Sequence, residues 1–167
     1  MNLKICGAVL ALAAANASYA QSLNKGDQQI LNDLAQANMA EVATGQLALQ
    51  KSQSADVKKF AQQMVDDHTK GLQAVQDVAK AKNVTLPSEP DAKHKKMADH
   101  LNSLSGAAFD KAYLENAGVK DHKEAHAKVV GAQKQATDPQ VKALAAQLQP
   151  TIDQHLQTVQ GLTSSKQ

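Results

Sequence analysis

The chain has 167 residues, 43% hydrophobic and 2% aromatic, with 18 basic residues against 16 acidic ones and a formal charge of +2. Every basic residue is lysine, so bidentate recognition of phosphate or guanine is missing, and the aromatics after residue 20, Phe60, Phe109 and Tyr113, are too few for a base-stacking platform. Near-balanced charge and this side-chain set exclude a dedicated nucleic-acid binder; the abundance of Ala, Gln, Lys and Leu points to helices, and the length suits one domain.

Residues 1–20 carry the pattern of a signal peptide. Lys4 precedes an apolar run over 5–15, and Ser18-Tyr19-Ala20 places small residues where a signal peptidase reads, so cleavage is expected after Ala20, with Ala17 as the alternative. The run is too short to stay in a membrane. The single cysteine, Cys6, lies within it, and Leu3-Lys4-Ile5 before it does not form a lipoprotein processing box. The cleaved chain loses Lys4, which takes its charge from +2 to +1, and has no thiol for a disulfide, a metal or a nucleophile. A periplasmic or secreted protein without a transmembrane or lipid anchor is the expectation.

After a polar lead-in over 21–26, the periodicity predicts a helix over 27–51 with the stripe Ile30, Leu31, Leu34, Ala37, Glu41, Gly45, Ala48 and Leu49. Gly45 would let a partner helix approach closely. Ser52 or Ser54 can cap the next helix, which runs to 82 and carries Val57, Phe60, Ala61, Met64, His68, Leu72, Val75 and Val78 on one face. So short a connector makes an antiparallel hairpin. Pro87 and Pro90 enforce an extended path after 82, and a short helix follows over 91–104 with Met97, Leu101 and Leu104 as its apolar side. Residues 83–105 thus form a long crossover, on which His94 and His100 are expected to be exposed. Ser105-Gly106 breaks it.

A third long helix is predicted over 107–135, facing inward with Ala108, Ala112, Glu115, Val119, His122, His126, Val129 and Gln133. Thr137-Asp138-Pro139 is a helix start. The fourth long helix shows Val141, Leu144, Ala145, Leu148, Ile152, His155, Leu156, Val159 and Leu162 on one side and Pro150 on the other, where a kink is expected. Residues 27–162 therefore form one bundle domain, followed by a polar tail over 163–167.

Each long helix sets one Glu or His in its apolar face: Glu41, His68, His122 and His155. Counting residues from the connectors places Glu41 and His68 within about one turn in height, and His122 and His155 likewise. In an antiparallel bundle the four can share a layer. Three imidazoles and one carboxylate suit a divalent metal, Zn²⁺ or copper. A di-iron carboxylate centre needs Glu-x-x-His on two helices, and Val65, Val119 and Ile152 occupy the positions three before the histidines. The rival reading is a Glu–His hydrogen-bond network that fixes helix register. Asp67 and Asp121, each beside a core histidine, are read as solvated boundary residues in preference to acceptors that orient the histidines.

The runs FAQQMVDDH (60–68), SGAAFDKAY (105–113), VKDH (119–122) and LQPTIDQHL (148–156), in this order and spacing, resemble the bacterial exported "domain of unknown function 4142" family. The resemblance covers about 27–162. It implies a ferritin-like up-down four-helix bundle of the periplasm or envelope, with no established activity. Glu41, His68, His122 and His155 fall on matching motif positions. The expected protein is thus an exported all-α bundle, metal-binding or stress-related; the alternative is a structural or interaction protein without a ligand. An oxidase-like or hydrolytic metalloenzyme ranks third, so the reading favours a non-enzyme: no nucleophile triad, phosphate loop or dinucleotide fingerprint is present.

Overall fold

The computed structural model describes residues 22–164, and among these every regular element is a helix. The expected signal segment and the last three residues of the tail lie outside the described residues. Helix α1 spans Lys25–Lys51, starting two residues before the expected boundary. Asn24 caps it by accepting from the Asp27 N–H at 2.8 Å. Ser54 caps α2, Ala55–Ala81, after a connector of three residues. Helix α2 ends where Asn83 takes a left-handed φ of 55° and the Val84 N–H reaches back to the Ala79 carbonyl at 2.8 Å; asparagine tolerates that conformation better than most residues.

The crossover carries α3, Ala92–Ser103, capped by Asp91. Next come α4, Gly106–Tyr113, a π-helical segment, Leu114–Lys120, and α5, Asp121–Gln135, without a break between them. Asp138 caps α6, Pro139–Ser164, by accepting from the N–H groups of Gln140 and Val141. Helix α6 runs on through Pro150, which is exposed. Helix α1 packs against α2, α5 against α6, and α2 against α6, while α3 and α4 lie on α1. Buried Asp27 ties the start of α1 to the α5–α6 connector: its carboxylate accepts from the Thr137 N–H, the Thr137 hydroxyl and the Asp138 N–H at 2.7–3.0 Å.

The π segment corrects the predicted face of the third long helix. Its i→i+5 bonding widens the turn, so residues before it are rotated relative to an α-helical count. Counting back from His122 in α-helical steps selects Glu115, Ala112 and Ala108. The buried residues are Gly118, Ala117, Leu114, Tyr113 and Phe109. The Glu115 side chain is 56% exposed, with Lys111 Nζ at 3.9 Å. Gly118 belongs to this face because a Cβ there would lie inside 3.0 Å of Val159 Cγ2 on α6. Gly45 behaves as its position predicts: a Cβ would press on Val65 Cγ2 at 2.9 Å and the Ala61 carbonyl at 3.1 Å.

The apolar core is in two parts. One holds Leu31, Leu34, Val75, Val129, Leu144 and Ile152. The other holds Val57, Phe60, Met64, Phe109, Tyr113 and Val159. Between them, along every long helix, sit the buried polar residues: Asn38 and Glu41 on α1, His68 on α2, His122 on α5 and His155 on α6. Apolar burial on both sides stabilises the helices that carry this layer and holds its side chains away from bulk water.

Candidate metal centre

The structure brings His68, His122 and His155 together. Their ring centroids are 5.2–5.4 Å apart, and one nitrogen from each ring lies within 4.8 Å of the other two. All three residues are buried, His122 and His155 completely.

The surrounding acceptors settle which nitrogen of each ring carries hydrogen. The Asn38 Nδ2 group donates to the Leu34 carbonyl at 2.7 Å, so Asn38 Oδ1 is the atom turned to His68. That oxygen can only accept, and His68 Nδ1–H donates to it at 3.0 Å. His122 Nδ1–H donates to the Ala117 carbonyl at 3.0 Å. His155 Nε2–H donates to Asp67 Oδ2 at 3.0 Å. Each neutral ring therefore spends its one N–H on an outward acceptor. His68 Nε2 and His122 Nε2 are left as lone pairs facing each other at 3.3 Å, and His155 Nδ1 is buried with no hydrogen-bond partner. Two lone pairs at that distance repel unless a proton or a cation lies between them. Two nitrogens bound tetrahedrally to one Zn²⁺ at about 2.0–2.1 Å stand about 3.3 Å apart.

Electrostatics disfavour the proton. Burial pushes His68 well below the ordinary histidine range, and His122 and His155 push it further. Burial and His155 bring His122 down to about 4. Burial also lowers His155, against the pull of the Asp67 carboxylate. Asp67 itself is raised by burial, but its bonds from His155 and Lys70 outweigh this and hold it below its usual value. Burial thus favours the neutral form of all three rings, the form that binds a metal.

Glu41 lies on the other side of His122, its Oε1 3.7 Å from Nδ1. Its Oε2 is buried without a hydrogen-bond partner. Burial and the neighbouring Asp121 raise its pKa well above the usual value, with Lys93 opposing. Glu41 therefore flanks the three nitrogens and is outside the set that converges. His126, half-exposed, meets Asp153 at 3.5 Å across α5 and α6 and takes no part in the cluster.

Three residues differ from expectation. Asp67, its side chain 29% exposed, lies at the boundary as read and is also the acceptor for the histidine of another helix. Asp121 is buried, 3.1 Å from Lys93 Nζ and 3.7 Å from His94 Nε2. His94 is buried rather than exposed; at three and seven residues before Met97 and Leu101 it shares their face, a signal the sequence carried. His100 is exposed as expected. Asn38, which orients His68, was not singled out, although four residues after Leu34 and three before Glu41 it belongs to their stripe.

The family model described as "Domain of unknown function (DUF4142)" matches residues 12–162. The chain belongs to the DUF4142 family. A solved structure similar to this DUF4142 chain is titled "Crystal structure of DUF305 fragment from Deinococcus radiodurans". It has a TM-score of 0.76 and 16% identity over 87% of this chain and 99% of that one, a likeness of fold. A comparison with curated proteins finds no match. Among the described residues, no helix of the DUF4142 chain is long and apolar enough to cross a membrane.

Proposed function

We propose that this chain is an exported, ferritin-like up-down four-helix bundle protein that binds one divalent transition metal, Zn²⁺ or copper, through His68, His122 and His155. The observation that carries the reading is the set of outward contacts: three rings tied outward to acceptors on Asn38, the Ala117 carbonyl and Asp67 leave three buried nitrogens with no hydrogen to share. Outward acceptors of this kind orient metal-binding imidazoles and raise their basicity. Three neutral imidazoles favour zinc or copper over the harder cations that prefer oxygen. Export is supported by the basic start, the apolar run and the small residues of 1–20.

A second reading has its own support. The Asp67–His155 bond links α2 to α6 whether or not an ion is present, so the layer could serve as a register-fixing network alone. Calorimetric titration of chelator-treated protein with Zn²⁺ separates the two. The metal reading expects one ion per chain, lost in a His68→Ala/His155→Ala variant that still folds. No saturable binding by the folded wild type would leave the network reading.

A further inference from the structure

A cavity of about 160 Å³ opens beside the histidine layer and reaches His68. Leu34, Ala37, Ala74, Val129 and Leu148 give it apolar walls. An engineered cavity of about 150 Å³ accommodates benzene, so the space suits an organic body of that size. Its polar lining is one-sided. Asp33, Glu41, Asp67, Asp121 and Glu124 face it, against Lys70 and Lys128, with His68 and His94 as further polar groups.

Two of those carboxylates are buried and incompletely served. Glu41 and Asp121 are each 6% exposed, and Glu41 Oε2 and Asp121 Oδ2 have no hydrogen-bond partner. Lys93 uses Asp121 Oδ1 and Glu124, and His94 Nε2 stands 3.7 Å from Asp121 Oδ2, beyond hydrogen-bond distance. Buried acceptors without donors are costly, and buried carboxylates most of all.

We propose that this cavity binds a small organic cation, a primary ammonium on an apolar body, with its N–H groups donated to Glu41 Oε2 and Asp121 Oδ2. An ammonium has three donors and no acceptor, which matches a pair of unserved carboxylate oxygens. The apolar walls take the hydrocarbon, a feature a bare inorganic cation would not use. Charge-assisted bonds to ions are about twice as strong as neutral ones, so an alcohol of the same shape is the poorer ligand. The cavity shares His68 with the metal reading, but its contact oxygens do not: Glu41 lies on the Nδ1 side of His122, away from the converging nitrogens.

The probes are n-butylammonium, n-butanol and butyrate, titrated into chelator-treated full chain and followed by amide NMR shifts of Ala37, Ala74 and Val129. Butylammonium should bind about tenfold or more tightly than butanol, and butyrate should not bind. Asp121→Asn and Glu41→Gln should each weaken butylammonium about tenfold or more, and Ala74→Phe should abolish its binding. Equal affinity for the ammonium and the alcohol, or no shift at the cavity amides, overturns the proposal; the wild-type series decides this even if a variant fails to fold. The same ranking is expected after Zn²⁺ is added. A protein that takes no metal but ranks the probes as stated sinks the metal reading alone.

Discussion

Replacing Gly71 by alanine sets two known effects against each other. In the middle of a helix, Gly→Ala stabilises by up to about 1 kcal/mol. At Gly71, however, the new Cβ would fall inside 3.0 Å of Asn38 Oδ1 and 3.2 Å from its Cγ. Asn38 cannot give way freely, because its Nδ2 is held by the Leu34 carbonyl and its Oδ1 by His68. Moving it strands the buried His68 N–H, which costs about 1–3 kcal/mol. The net expectation is a loss of up to about 2 kcal/mol, from the stranded bond less the helix gain. Gly161→Ala is the control, since nothing lies within 4 Å of its Cβ position, and it should stabilise. Urea unfolding in the presence of chelator gives both numbers. Zinc affinity should also fall about 10- to 100-fold in Gly71→Ala, the usual effect of losing an outer partner of a ligand. If Gly71→Ala stabilises as much as Gly161→Ala and binds zinc normally, Asn38 does not position His68.

Acid should destabilise the metal-free protein through its histidines. His122 has a folded pKa of about 4 against 6.5 when unfolded, so the unfolded chain takes up the proton first as pH falls. Its contribution is complete above pH 6.5 and lost down to about pH 4, and at about 1.4 kcal/mol per unit it amounts to about 3 kcal/mol. His68 and His155 act in the same direction, whereas the raised Glu41 stabilises at low pH and loses that contribution as pH rises. Urea midpoints between pH 7 and 4 should fall less steeply in His122→Gln; an unchanged slope would count against a buried neutral ring. Asp27→Ala removes the acceptor that joins α1 to the start of α6 and should cost about 3 kcal/mol in urea unfolding. His100→Ala, at an exposed position, should stay within about 0.5 kcal/mol of wild type in the same assay.

Hydrophobic period and capping chemistry made the helices legible. Ser54 and Asp138 cap where their types predict, and the stripes of α1, α2 and α6 are buried largely as counted. The count failed where its assumption failed. It presumed 3.6 residues per turn, and the segment Leu114–Lys120 is π-helical, so Glu115 was drawn inward and Phe109 and Tyr113 were passed over. The three histidines could be found because one imidazole on each apolar stripe is conspicuous. Their acceptors were harder. Asp67 is next to His68 and hence about 100° around the helix, yet both side chains meet His155 on α6, Asp67 at its Nε2, which only the packing reveals. The cavity and the unserved oxygens of Glu41 and Asp121 arise from several helices meeting, and no single stripe contains them.

The central claim is that three buried nitrogens converge on one ion. X-ray absorption at the zinc edge of stoichiometrically loaded protein tests it most directly. The account predicts three imidazole scatterers at about 2.0–2.1 Å, with the signal lost in His68→Ala/His155→Ala. A first shell of oxygens, or a zinc site that survives that variant, would place the ion elsewhere and contradict the account.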